Sequence, residues 1–183
     1  MLRIIAGKYR SLLLDQPRKD NTRATTDKVR EAIFSSIQFE LDDALILDLF
    51  AGSGAWCFEA LSRGAMKAIA VDIDEEAYEV ISNNAQKLKC HNIEIYRESA
   101  QMFLEKNKGK TFDFIFMDAP YLNVEQINEC LKLIEQNKFL KNLGKIIIET
   151  NAPEKIIFPS NLMVQKSKVY GITTILFVSH IDI

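Results

Sequence analysis

Hydrophobic positions change their period three times along the chain. Leu2–Ala6 and Tyr9–Leu14 are short apolar runs separated by Gly7-Lys8, which predicts a small hairpin. Residues 15–24 are polar and predict a loop. Thr25 and Thr26 can then cap a helix with Asp27 in its first turn, and Val29, Ala32, Ile33, Ile37 and Leu41 fall on one face at helical spacing. After Asp42-Asp43 the pattern becomes buried strand, then helix, repeated. Strands are expected at Ala44–Phe50, Ala68–Val71, Ile93–Tyr96, Phe112–Met117 and Lys145–Glu149. Helices are expected between them at Ala55–Ser62, Glu75–Lys89, Ala100–Lys106 and Glu125–Gln136. This alternation predicts an α/β fold with a mostly parallel, doubly wound sheet. The last stretch departs from it. Met163–Tyr170 and Thr173–Ser179 leave no room for a helix between them, so an antiparallel hairpin is expected at one sheet edge.

Composition narrows the class. A chain of 183 residues, 48% hydrophobic, can bury a core without disulfide staples. Cys57, Cys90 and Cys130 are odd in number and widely spaced, which reads as three reduced interior thiols and a cytoplasmic protein. No apolar run approaches the roughly 18 residues of a membrane span. His91 and His180 are far apart, and no metal-ligand cluster is visible. Charge is uneven: residues 1–30 hold eight Lys or Arg against three acids, a balance of +5, so the rest carries −7 of the net −2. A basic arm on an acidic body fits a polyanion-binding appendage, and equally a solvated charged face. The expected division is an N-terminal extension at 1–41 and a body at 42–183.

In open α/β sheets, ligands bind at the C-terminal strand ends near the switch in strand order. Three such ends here carry suitable chemistry. In Asp48-Leu49-Phe50-Ala51-Gly52-Ser53-Gly54 the glycines let a ligand approach the backbone, and the next helix presents unpaired N–H groups. A plain tight turn would look the same. Asp72 closes the second strand, where a carboxylate can accept both hydroxyls of an adenosine ribose. The dinucleotide fingerprint wants a third Gly where Cys57 stands, and no Gly-Lys-Ser/Thr follows, so a cofactor without phosphates is favoured. The fourth strand ends in Asp118-Ala119-Pro120-Tyr121. The Asp118 carboxylate and Ala119 carbonyl could accept both protons of an exocyclic amine. Pro120 stiffens the turn, and Tyr121 could stack on the ring for roughly 1–3 kcal/mol.

Taken in order, these motifs resemble S-adenosylmethionine-dependent amino-group methyltransferases. Arg3–Arg10, Arg23–Glu31, Glu59–Ala65 and the Tyr170-Gly171-Ile172-Thr173 corner narrow the resemblance to the RsmD family, from about Arg3 to Phe177. That family methylates N2 of a guanine in 16S ribosomal RNA. The resemblance implies a Rossmann-like methyltransferase fold and S-adenosyl-L-methionine as cofactor. It implies cofactor contacts from Asp48, Phe50, Ala51, Gly52, Ser53, Gly54, Asp72, Ile73, Glu98, Ser99, Ala100 and Asp118. Catalysis falls to Asp118, Ala119, Pro120 and Tyr121. Contact with RNA falls to Arg3, Lys8, Arg10, Arg23, Thr25, Lys28 and Arg30, in a monomer acting on an assembling small subunit. Four positions depart from the family pattern: Ala119 replaces a Pro, Asp72 a Glu, Ser99 an acid and Cys57 a Gly. With an acid missing at 99, the adenine amine contact passes to Glu98 or to the backbone. Rival readings are an adenine-N6 methyltransferase on DNA or RNA, a nicotinamide-dependent dehydrogenase, and a non-catalytic RNA-binding module.

Overall fold

In the computed structural model the described residues are 2–18, 26–119 and 123–181. Strands β3 (Leu45–Asp48), β4 (Lys67–Asp72), β5 (Ile93–Arg97), β6 (Phe112–Asp118) and β7 (Leu140–Thr150) pair in parallel. Strands β8 (Leu162–Tyr170) and β9 (Thr173–His180) form the expected terminal hairpin. The order across the sheet is β5-β4-β3-β6-β7-β9-β8, with β9 antiparallel to β7 and β8 on the outer edge. The chain steps outward from β3 in one direction and, after β5, resumes on the other side with β6. The crevice therefore opens between the ends of β3 and β6. A separate two-stranded ladder pairs β1 (Leu2–Arg3) with β2 (Leu13–Leu14).

Helices α1 (Asp27–Ile37), α2 (Ala55–Ser62), α3 (Glu75–Leu88), α4 (Ala100–Lys106) and α5 (Val124–Gln136) cover the two faces. Most starts have a local cause. Thr26 accepts from the Val29 N–H, Asp74 from Glu76 N–H and Ser99 from Met102 N–H, so three helices begin on a side-chain cap. α2 begins differently, at Gly54 in the left-handed region (φ 78°) with no side-chain cap, which leaves its first N–H groups available.

One sheet face packs Phe114, Phe116, Ile147, Ile175 and Phe177 against α1, α2 and the N-terminal segment; the other packs Ile115, Met117, Ile146 and Ile148 against α4 and α5. Strands buried on both faces read as nearly continuous apolar runs, which is why Phe112–Met117 shows no alternation. On the first face Phe34, Trp56 and Phe116 form a ring triangle, with centroids 4.9–5.7 Å apart. Leu2, Ile4, Tyr9 and Leu14 belong to the same core cluster, so the N-terminal segment packs into the body.

Candidate functional site

Backbone hydrogen bonds fold the β3–α2 turn tightly over the switch point. Leu49 N–H donates to the Phe116 carbonyl (3.1 Å), Ala51 N–H to Val71 (3.0 Å) and Gly54 N–H to Ala51 (2.7 Å). Gly52 and Gly54 both take positive φ, 53° and 78°. A Cβ at Gly54 would lie 2.8 Å from the Phe58 ring, so glycine is required there by packing as well as by conformation.

Two carboxylates support the turn in different ways. Asp72 receives Gly52 N–H on Oδ2 (2.8 Å) and Asp74 N–H on Oδ1 (2.9 Å). Both of its oxygens are thus oriented by the backbone of the turn and of the α3 start. Asp48 is fully buried beneath the turn. It accepts a long bond from Phe50 N–H (3.4 Å), and the Cys57 thiol lies 4.0 Å from its other oxygen. Burial, helped by the nearby Asp72 charge, pushes Asp48 up to about 8 against the opposing Phe50 N–H bond. Burial thus favours the protonated form of Asp48, closed off beneath the turn. Its work is to hold the turn from below.

A cleft of about 450 Å³, its solvent-open side included, lies beside the turn. Its walls are Phe50, Ile73, Ser99, Ala100, Gln101, Gln126, Glu129 and Cys130. Ile73 follows Asp72 and is 71% exposed, an apolar side chain left uncovered at a strand end. Ser99 lines the cleft, but its hydroxyl accepts from Met102 N–H (3.1 Å) as the α4 cap. Glu98 is ion-paired to Lys106 (2.9 Å). Burial holds the Cys57 thiol far above its ordinary value and pushes Cys130 up to about 12, so neither is a thiolate. An oriented carboxylate, a glycine turn and an apolar slot together fit an adenosine group. Asp118 closes β6 on the other side of the switch, with Ala119 half-buried after it. Pro120 and Tyr121 lie outside the described residues, as do Arg23 and Thr25.

The basic segment docks on α2. Gly7 (φ 84°) sits so close that a Cβ there would fall 1.8 Å from the Ser62 carbonyl oxygen. Lys8 N–H donates to that carbonyl (2.8 Å), and Tyr9 N–H to the Ser62 hydroxyl (2.9 Å). Buried Glu59 accepts Ile5 N–H (2.8 Å), Ala6 N–H (3.2 Å) and Arg63 Nε–H (2.7 Å). Lys8, Arg10 and Lys28 are exposed; Arg3 is exposed and 3.7 Å from Asp27. The expected phosphate contact at Arg30 is corrected. Its guanidinium is 1% exposed and turns inward to Asp27 (3.0 Å), Glu59 (3.8 Å) and the Arg3 carbonyl. Burial lowers its basicity against the pull of these acids. Arg30 fastens the segment and meets no solvent.

Three positions around the site escape sequence patterning. Asn84, fully buried on α3, accepts Asp15 N–H (2.8 Å) and donates to the carbonyls of Asp15 (3.0 Å) and Ser53 (3.1 Å). It joins the basic segment to the glycine turn. Gln126 and Glu129 close the cleft from α5, at a spacing that reads only as a polar helix face. Among the described residues, no helix is long and apolar enough to cross a membrane, and no group of three or more His, Cys, Asp or Glu could hold a metal ion.

Comparison with known proteins adds an independent line. The family model described as Conserved hypothetical protein 95 matches residues 2–179. The ribosomal RNA small subunit methyltransferase D of Escherichia coli is 33% identical over 171 residues, 93% of this chain and 85% of that protein. Its Haemophilus influenzae namesake is 32% identical, over 94% and 91% of the two chains. Among solved structures, the provisionally assigned methyltransferase yhhF of Escherichia coli superposes with a TM-score of 0.87 at 30% identity, covering 98% of this chain and 97% of that one.

Proposed function

The chain belongs to the RsmD family, and from that premise we propose that it transfers a methyl group from S-adenosyl-L-methionine to guanine N2 in the 16S RNA of an assembling small ribosomal subunit, acting as a cytoplasmic monomer. The observation that carries the reading is the placement of Asp72 and Asp118. One is an oriented carboxylate beside the glycine turn; the other ends a strand on the far side of the same crevice. Named relatives support the RNA substrate, since they are called small subunit ribosomal RNA methyltransferases.

When bound, S-adenosyl-L-methionine supplies a methyl group already activated on a sulfonium, so the protein needs to provide position more than reactivity. Asp72 would hold the ribose hydroxyls. Ile73 and Phe50 would flank the adenine, with Ala100 beside it. The adenine amine falls to Glu98 or a backbone carbonyl, because the Ser99 hydroxyl is committed to its cap. Residues 51–54 would carry the remainder on backbone N–H groups. Guanine N2 is a poor nucleophile because its lone pair is delocalised into the ring. Hydrogen bonds from N2 to the Asp118 carboxylate and the Ala119 carbonyl would favour a pyramidal nitrogen, and Asp118 or water would take the proton released. Fixing that geometry is worth effective molarities of about 10⁵ M or more. Stacking on Tyr121 would offset the few kcal/mol needed to unstack the base. Arg3, Lys8, Arg10, Arg23, Thr25 and Lys28 would hold phosphates, fixing register without reading sequence.

The test is mass-spectrometric mapping of methylated nucleosides in ribosomal RNA from cells lacking the protein, with the purified protein supplied to that RNA and to small subunits. Loss of one N2-methylguanosine in 16S RNA, restored by wild type and not by Asp118→Ala, is expected. A missing N6-methyladenosine, or an unchanged map, would refute the substrate.

A further inference from the structure

The C-terminal hairpin carries two cations that the reading above leaves unused. Lys166 and Lys168 lie on edge strand β8, two positions apart, opposite Phe177 and Ile175 of β9. Both ammonium groups sit 5.9 Å from the Phe177 ring, so both side chains lie on the same sheet face. They crowd each other: partial burial and the Lys166 charge lower the basicity of Lys168. Among the described residues neither is ion-paired with a carboxylate, although the chain beyond residue 30 carries an excess of acids. Two like charges held together without a counter-charge form a ready anion site.

Its location is informative. Phe177 shares a core cluster with Phe34 of α1, so the lysines flank the face on which α1 lies. Glu40, just past α1, binds Lys145 near the start of the paired stretch of β7, which directs the other end of α1, with exposed Lys28, toward the strand C-termini. The hairpin turn points the same way, because Thr174 pairs with Thr150, the last residue of β7. The turn also exposes Val169 and Ile172, about 70% each, apolar groups suited to a ribose or base face.

We propose that Lys166 and Lys168 form a second phosphate-binding site, on the C-terminal hairpin, so that the RNA backbone is gripped on both sides of the crevice. This rests on the RNA-modifying function proposed above. The two lysines stand about 6.6 Å apart along the strand, a span over which they can share one phosphate or hold two neighbours. Between the two grips the RNA crosses the ends of β6, β7 and β9, which presents it to Asp118.

The experiment measures binding of a 16S RNA fragment containing the modified guanine across a salt series. It compares wild type, Lys166→Ala/Lys168→Ala, the charge-keeping Lys166→Arg/Lys168→Arg, and Arg10→Glu in the N-terminal segment. Thermal unfolding and S-adenosylhomocysteine affinity serve as fold controls. Loss of two phosphate contacts should make the slope of log K against log salt shallower by roughly 1.5, weakening binding about tenfold near 0.15 M salt and converging with wild type near 1 M. The arginine pair should keep the wild-type slope. If the alanine pair keeps it too while Arg10→Glu loses it, the hairpin site is wrong and the RNA reading stands. If wild type binds RNA with no salt-dependent affinity at all, both fail. If the alanine pair binds naked RNA normally but loses intact small subunits, the lysines meet protein and the proposal is overturned.

Discussion

Replacing Asp72 with Asn alters charge and hydrogen bonding at the turn while leaving shape intact. The carboxylate accepts from Gly52 N–H at 2.8 Å on one oxygen and from Asp74 N–H at 2.9 Å on the other. An amide has one acceptor oxygen, so its NH2 must face one of these donors. One charge-assisted bond is lost, about 1.5–3 kcal/mol, and a ribose hydroxyl loses its acceptor on the same atom. Because Asp72 is half-exposed, solvent returns part of that to the free protein. The ligand, enclosed against the turn, feels more of it. The expected result is cofactor affinity lower by about 2–3 kcal/mol, or roughly 30- to 150-fold, with melting temperature changed by only a few degrees. Asp72→Glu retains two acceptors one methylene further out and should bind within a few-fold of wild type. Titration calorimetry with S-adenosylhomocysteine decides it. Affinity of Asp72→Asn within threefold of wild type would remove the carboxylate from the site.

Three further outcomes are expected. Glu59→Ala should cost about 3–5 kcal/mol in urea denaturation, because it removes the acceptor of Arg63 and of two N–H groups of the N-terminal segment, and one of the two counter-charges of buried Arg30; a loss below 1 kcal/mol would mean the segment is held elsewhere. Asp48 is raised from 3.8 to about 8 in the fold, so the native state holds a proton the unfolded chain has lost. Its contribution is therefore fully present below about pH 4 and disappears as pH rises through about 8, by up to about 1.4 kcal/mol per pH unit. Against wild type, Asp48→Asn should gain stability between pH 5 and pH 9; a difference independent of pH would show that Asp48 is ionised in the fold. Asn84→Asp turns two donors into an acceptor opposite the Asp15 and Ser53 carbonyls. It should cost about 3 kcal/mol or more, and equal melting curves would exclude the link.

Local chemistry was readable wherever local chemistry decided the outcome. The α2 start after Gly54, the Asp72 and Asp118 strand ends and the terminal hairpin all follow from turn residues and apolar runs whose partners need not be known. Elsewhere distant partners prevailed. The expected hairpin over residues 2–14 keeps cross-bonds between Ile4 and Leu12 and between Ser11 and Ile4, but its ladder shrinks to two residues while Ile5, Ala6, Lys8 and Tyr9 turn their N–H groups to Glu59 and Ser62 of α2. Strand β7 starts at Leu140, five residues earlier than expected; Leu140 pairs with Phe112, and Lys141 is neutralised by Asp113 (2.8 Å), so a polar stretch joins the sheet. Arg30 reads as a surface cation because two of its inward partners, the Arg3 carbonyl and Glu59, lie 27 and 29 positions away. In α1, Phe34 joins the core beside Ile33 and Ile37, while Val29 and Ala32 stay half-buried, since the facing ring of Phe116 rewards an aromatic there.

Helix α2 is eight residues long, roughly 12 Å, and its two ends meet different neighbours. Gly54 at its start belongs to the turn over Asp72; Glu59 and Ser62 near its end clamp the basic segment. A single rigid strut thus serves as both floor and anchor. Random mutagenesis should accordingly recover lesions that uncouple nucleic-acid capture from methyl-donor capture at Lys8, Arg10 or Asp72, and hardly ever between residues 55 and 62, where one side chain's displacement damages both phenotypes together.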